Sequence, residues 1–478
     1  MVLKYKTIFL FSRECIDKDM EPASFVPKAL KLAPKEAVLR GVQFRTQKRV
    51  VPAGGQNGYS PSNNQIEFLF TDGEGISLVD TAVRFEASFL NGAGSADASG
   101  SVVSAADFVE RVEFYIGQTS ILSTTVSRVR NVVNAMMKNE LSEDWFKYAG
   151  KNLLGWNSYG LNREPTLDSS AVINGWKIPE HNGDRTYIVP LWCLHPALLA
   201  PHLPVVGEQI RIVLTLAQPA ACLATRTADA STYQLDNVEL HVEHIQYERE
   251  YKQSLMSQMS GSEGFTIPMI DFDIQRQSFS SNDIAFTQRN QRSNCLSLVI
   301  FNAKTDAGRR DKFNYGTGAN PAKKTHSDPT LHCDVGLLTT NLKVFSGDRH
   351  FTPLNGVESN AELLSNLERV AGGFGKEDNG TISWDEYTHE TSQAAANYVP
   401  HAPIMISLER TQMDDTDYQV MNRGLSAYDP LVDADIQVQL KTASTDHRKL
   451  DTSRDELYSC LVYEKTLVFA DGAISVDA

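Results

Sequence analysis

Several residue groups in this chain have the types that do chemistry, and their spacing decides what each could do. The segment Glu377-Asp-Asn-Gly-Thr-Ile-Ser-Trp-Asp-Glu386 has the oxygen-rich pattern of a calcium loop. Aligned on Gly380, it puts Asn379, Thr381, Ser383 and Glu386 at ligand positions, but Gly375 stands where the first carboxylate is needed. It therefore reads as a polar surface loop. His241 and His244 lie three apart in a strand-like stretch, so they point to opposite faces and cannot share a metal. His332 and Cys333 are adjacent and have the same difficulty. Asp271/Asp273 and Asp414/Asp415 are carboxylate pairs of the kind glycoside hydrolysis uses, but 59 acidic residues make close pairs an ordinary accident. Gly372-Gly-Phe-Gly-Lys376 has part of a phosphate loop. Val370 replaces its first glycine and Glu377 its magnesium-holding hydroxyl. Gly92-Ala-Gly94 lacks the third glycine of a dinucleotide turn, and neither a GxSxG elbow nor an HExxH helix occurs. These patterns predict no catalytic residue, no metal site and no cofactor.

The elements around these residues are mostly short strands. Val83-Arg-Phe-Glu-Ala87 alternates apolar and polar, as a half-buried strand does. Val238-Glu-Leu-His-Val-Glu243 does the same, with Val238, Leu240 and Val242 on one face. Ile66 to Phe70, Val112 to Ile116, Ile210 to Leu216, Leu296 to Phe301, Ile404 to Leu408, Ile436 to Leu440 and Leu461 to Phe469 are further runs of strand formers. Glycine-rich stretches such as Ala53 to Gly58 and Asn91 to Ser101 separate them. Helices are few. Val126, Val129, Val133 and Met136/Met137 recur at helical spacing. Ser359-Asn-Ala-Glu362 is a capping box ahead of Leu363, Leu364, Leu367 and Val370, with Gly372-Gly373 as the stop. Tyr251 to Met259 predicts a short third helix, followed by a linker-like Ser260-Gly-Ser-Glu-Gly264.

The balance of charge narrows the function. The 478 residues carry a net −14, which disfavours wrapping of nucleic acid by the whole chain. Residues 1–50 hold 11 Lys/Arg and 5 Asp/Glu, a local +6, which leaves −20 on the remainder. Six scattered cysteines, with no CxxC, read as buried free thiols made in a reducing compartment. The apolar run Thr7 to Phe11 is shorter than a signal-peptide core, and no stretch reaches the ~18 apolar residues of a membrane span. The protein is expected to be made inside the cell and not secreted.

The two halves answer one another in order. The predicted helix near 126 corresponds to that near 360. Tyr187 to Trp192 corresponds to Pro403 to Ile406, Pro204 to Leu216 to Pro430 to Leu440, and 237–248 to 457–468. The offsets fall between about 216 and 234 residues, which indicates a duplicated β-domain. The expected fold is all-β, two tandem jelly-roll barrels with a few short helices in the loops. The division is a basic arm at 1–36, a first jelly roll at 37–252, a linker at 253–265 and a second jelly roll at 266–478.

Leu191-Trp-Cys-Leu-His-Pro196, Pro201-His-Leu-Pro204 and Gly207-Glu-Gln-Ile-Arg-Ile-Val-Leu214 resemble the end of the first barrel in double jelly-roll major capsid proteins. Phe345-Ser-Gly-Asp-Arg-His350, with its Pro353/Asn355 loop and following helix, is similar to the same family, as is Val462-Tyr-Glu to Ala470-Asp-Gly472. At this length the chain is most similar to the smaller virophage and Polinton-like members. The resemblance implies a non-enzymatic structural role, the major capsid protein of an icosahedral double-stranded DNA virus. It implies homotrimeric, pseudo-hexagonal capsomers in the virion, partnered by neighbouring capsomers and by penton and minor capsid proteins. Two other readings of the residues remain open: a tandem β-sandwich that binds glycans or receptors, and a paired jelly-roll hydrolase. Lys28, Lys31 and Lys35 are spaced to share one helix face, yet Pro22, Pro27 and Pro34 favour an extended arm. Such an arm is expected to serve assembly and to meet an internal membrane or the genome, both anionic.

Overall fold

The computed structural model describes residues 42–56, 58–71, 74–90, 105–126, 185–200, 202–205, 207–222, 232–262, 264–281, 283–292, 294–304, 339–370, 388–390, 398–400, 404–408, 435–442 and 455–477. The predicted helix near 126–137, the calcium-like loop, Lys28, Lys31, Lys35, Cys15, His332, Cys333, Asp414 and Asp415 lie outside these residues, apart from Val126.

Among the described residues, eight main strands build the first half: β1 (Val42–Val50), β2 (Gln65–Phe70), β3 (Gly75–Leu90), β4 (Val109–Ile116), β5 (Thr119–Thr125), β6 (Arg185–Pro190), β7 (Ile210–Leu216) and β8 (Thr232–Tyr247), and two-residue strands at Gly58–Tyr59 and Leu203–Pro204 pair with β8 and β3. They form two antiparallel sheets, β1-β8-β3-β6 and β2-β7-β4-β5. The alternation in β3 is realised as expected. Val83, Phe85, Ala87 and Phe89 are buried, and Arg84, Glu86 and Ser88 lie between them on the other face. Between the sheets, Phe108 gathers Phe85, Phe89, Tyr187 and Tyr233, with ring centroids 5.7, 6.5, 6.2 and 4.7 Å away. The buried Tyr233 hydroxyl donates to the Ala217 carbonyl at 2.5 Å, so its burial leaves no donor unmet.

The second half repeats this plan. Its strands are β9 (Phe265–Gln277), β10 (Asp283–Gln288), β11 (Cys295–Lys304), β12 (Thr339–Ser346), β13 (Arg349–His350), β14 (Ile404–Ser407), β15 (Ile436–Thr442) and β16 (Asp455–Ala470). The sheets are β9-β16-β11-β14 and β10-β15-β12-β13. Each of these eight main strands thus has a counterpart eight places later, in the equivalent sheet and beside the equivalent neighbours. β8 and β16, both 16 residues long, occupy the same place in the two halves. A final strand, β17 (Ala473–Asp477), folds back on the end of β16.

Among the described residues, two helices longer than one turn accompany the sheets. α1 (Arg249–Ser260) fills most of the segment expected as a linker. It is tied down by Lys252, whose Nζ donates to Glu74 Oε1 at 2.6 Å, and by Leu255, which is fully buried. α2 (Asn360–Val370) starts at the predicted capping box. The Glu362 amide donates to Ser359 Oγ, and Glu362 Oε2 accepts from the Ser359 amide, both at 3.2 Å. The Glu358 amide, which donates to Glu362 Oε2 at 2.8 Å, and the Ser359 amide hold the Glu362 carboxyl below its ordinary pKa.

The cores do not divide where the chain passes from one half to the other. Phe265, Ile267 and Met269 of β9, with Leu467 and Phe469 of β16, pack into the first core. Further along the same strands, Phe272, Tyr458, Cys460 and Val462 pack into the second. Both strands are long enough to reach across the junction.

Candidate functional site

The junction of the two halves gathers three ionisable side chains, His195, Asp271 and Lys465, of which His195 and Lys465 are buried. After β6 the chain makes two short 3-10 turns, Leu191–Cys193 and Pro196–Leu199, within the motif singled out from sequence. Proline at the first position suits a turn start, because its missing amide has no partner there. His195 caps the second turn: its Nδ1 accepts from the Ala197 amide at 3.1 Å. The neutral ring must therefore carry its proton on Nε2. Leu191, Leu194, Ala197 and Leu198 turn into the first core, while Trp192 packs into the second. The motif is a hinge pin between two apolar interiors.

Nε2 of His195 lies 3.3 Å from Asp271 Oδ1 of β9. That approach is not aligned for a full hydrogen bond, so the contact is chiefly electrostatic. Oδ2 of Asp271 is held by Lys465 of β16, and the same ammonium donates to the Ile121 carbonyl of β5 at 2.5 Å. His195 is 0% and Lys465 4% exposed. Three strands from both halves and one capped turn therefore meet at one carboxylate. Burial pushes the His195 pKa down, outweighing the attraction of Asp271, so the ring is neutral. Burial would raise the Asp271 pKa, but His195 and Lys465 together hold it well below the usual carboxylate range. Beside this cluster, Phe272 meets the His195 ring edge-on at 4.9 Å. Thr119 Oγ1 donates to the Ile474 carbonyl of β17 at 2.9 Å.

Of the described residues weighed as chemistry, Asp271 enters this junction. Asp273 is half-buried, and burial raises its pKa. His241 sits 3.3 Å from Glu239, whereas His244 is buried 6.0 Å from the Phe70 ring centroid. Among the described residues, no three His, Cys, Asp or Glu side chains are grouped to hold a metal. Cys222, Cys295 and Cys460 are buried free thiols, and burial lifts Cys295 to about 12. Sequence reading missed Lys465. Its signal was parity: it shares the alternation of Leu461, Tyr463, Leu467 and Phe469, so it had to point into an interior.

No protein-family model matches the sequence, and no curated protein matches it. Solved structures do match. The PBCV-1 virus capsid is similar at 12% identity and TM-score 0.53, over 91% of this chain and 97% of that one. The Sputnik virophage structure is similar at 11% identity and TM-score 0.53, over 91% and 89%. The Faustovirus major capsid protein is similar at 11% identity and TM-score 0.50, over 90% and 91%. This chain has a double jelly-roll fold. The expectation of an all-β, tandem jelly-roll architecture is met across nearly the whole length. In this double jelly roll, the His195–Asp271–Lys465 cluster fixes how one barrel sits against the other.

Proposed function

We propose that the protein is a major capsid protein, a structural and non-enzymatic subunit of the icosahedral shell of a double-stranded DNA virus. The observation that carries this reading is the pairing of two barrels of identical strand order in one chain, shared over about nine-tenths of its length with capsid structures. Duplication has a physical use in such a shell. Three copies of a two-barrel chain present six similar walls, so a threefold tile fits six neighbours. The subunit is accordingly a homotrimer that packs beside other capsomers, penton and minor capsid proteins in the virion. A hydrolase on this scaffold would need a carboxylate free to act. Asp271 is instead committed to Lys465.

The proposed division remains an arm at 1–36, barrels at 37–252 and 266–478, and a connection at 253–265. Support for a connection there comes from α1, which carries the chain from β8 to β9. Lys28, Lys31 and Lys35 belong to the arm and are assigned to contacts with an anionic membrane or genome. Light scattering on the purified chain tests the main reading. A particle of three times 53.0 kDa, growing into sheets or shells, supports it. A monomer that never associates overturns it.

A further inference from the structure

The segment that follows β6 is tied to the first barrel by its backbone and to the second by its side chains. On the first-barrel side, the Ala200 carbonyl accepts from the Leu78 and Val79 amides of β3 at 2.9 and 3.4 Å, and Leu203 pairs with Ile76. Toward the second barrel it sends Trp192 into the apolar core, with Leu199 at its margin, and His195 to Asp271. The hydrogen bonds of the His195 ring decide what a proton does there. Nδ1 accepts from the Ala197 amide, so a second proton can enter only at the atom that caps the Pro196–Leu199 turn. Protonation makes that acceptor a donor facing a donor, and the Ala197 amide loses its partner.

The charges around the ring oppose protonation as well. Asp271 of β9 and Lys465 of β16 are the charged groups that act on it, and they already neutralise one another. Tyr463 of β16 bears on the same carboxylate, and β5 brings its Ile121 carbonyl to Lys465. Burial keeps the Cys193 thiol of the preceding turn neutral, and β3 faces the segment with backbone amides. An imidazolium would thus be a second cation beside one anion, at a residue that is 0% exposed.

We propose that the turn at His195 is an acid-released latch between the barrels. When the ring takes its second proton, the Pro196–Leu199 turn opens on its second-barrel side, while the pairing with β3 keeps the segment on the first barrel. At neutral pH the uncharged ring fits the closed turn and the latch holds. Below the ordinary imidazole range the open form binds a proton that the closed form excludes, so opening gains about tenfold per pH unit until the closed form is protonated too. The latch works within one chain, whether or not chains assemble. In a shell, its consequence is a subunit whose two barrels loosen in an acidified compartment.

Hydrogen exchange of the full chain, compared between neutral pH and about pH 5 and corrected for the intrinsic pH dependence of exchange, tests this. In the wild type, peptides covering 191–200 and 271–273 are expected to exchange at least about tenfold faster at the lower pH, with the middle of β3 and β11 unchanged. His195→Asn puts a carbonyl oxygen where Nδ1 lies, so it keeps a cap but takes no proton, and its exchange should be the same at both pH values. His202→Gln removes the other imidazole of the segment and should keep the wild-type response. The latch is overturned by a response that persists in His195→Asn, by no response in the wild type, or by opening that comes together with β3 as whole-chain unfolding. Should His195→Asn fail to fold, His202→Gln decides: a local response that survives supports His195 as the switch, and one that vanishes moves the switch to His202 and overturns the proposal.

Discussion

The sheet β1-β8-β3-β6 and its counterpart β9-β16-β11-β14 share one topology and have opposite surfaces. In the first, Arg84, Glu86, Glu239, Glu243, Arg45 and Arg49 pair along and across the strands. Arg84 and Glu86 are 3.0 Å apart, Arg45 and Glu243 3.4 Å, and Arg49 and Glu239 3.8 Å. In the second, Leu298, Val299, Ile300 and Phe301 are consecutive and all 0% exposed, so both faces of that strand are covered. Trp192, with Val79, Cys193 and Leu199 at its margin, reaches that interior from the first barrel. The same fold thus carries a wet sheet and a dry one. The difference follows from what each has beside it: the second sheet is covered in part by residues of the first barrel.

Removing the charge lock under the dry sheet should have the largest effect. Lys465→Ala leaves the Asp271 carboxylate buried without its main partner, and the expected loss is about 3–5 kcal/mol in chemical denaturation. The double variant Lys465→Met/Asp271→Leu should recover much of that loss. If Lys465→Ala melts like the wild type, the cluster is not what joins the barrels.

The wet barrel carries a different sensitivity, to acid. His202 lies 2.6 Å from the Tyr247 hydroxyl at the base of β8, and burial, with Arg45 nearby, lowers its pKa to about 4. Above pH 6.5 the ring is neutral in both folded and unfolded chains and costs nothing. As pH falls from about 6.5 to about 4, the unfolded chain takes up the proton and the folded chain resists it. Stability should therefore drop by roughly 2–3 kcal/mol over that window. His195 adds to the same trend, whereas the contribution of Asp271 persists until the pH falls below the ordinary Asp range. Melting as a function of pH checks this, and His202→Gln should flatten the profile.

Gly264 marks the entry to the crossing strand β9. Its φ is +52°, and a Cβ there would lie 2.1 Å from the Phe469 carbonyl oxygen. Gly264→Ala should cost about 1–3 kcal/mol and loosen the junction first, seen as faster amide exchange in β9 and β17 than in β3. The smallest effect belongs to the wet surface. Arg84→Ala breaks partly exposed pairs with Glu86 and Glu239 and should change stability by less than about 1 kcal/mol. A larger loss would mean that the charged sheet stabilises the isolated chain, not only a contact.

The sequence alone determined the strand content and the capping box at Ser359. These are written in local patterns, since the alternation in Val83 to Ala87 and the apolar run Leu298 to Phe301 mark strands, and Ser359 to Glu362 marks a helix start. It also carried the order of the duplication, because strand formers recur at one spacing even when identity is lost. It did not determine where the cores divide. Phe265 and Phe272 are both apolar residues of one strand, and only the packing of two barrels sends them to different interiors. Nor could it join His195, Asp271 and Lys465. They lie far apart in the chain, and although the alternation around Lys465 marks it as inward-facing, their partnership exists only where the turn after β6 meets β9 and β16. Side-chain parity is a local property that sequence records. Which surface a buried face meets is decided by the docking of whole domains.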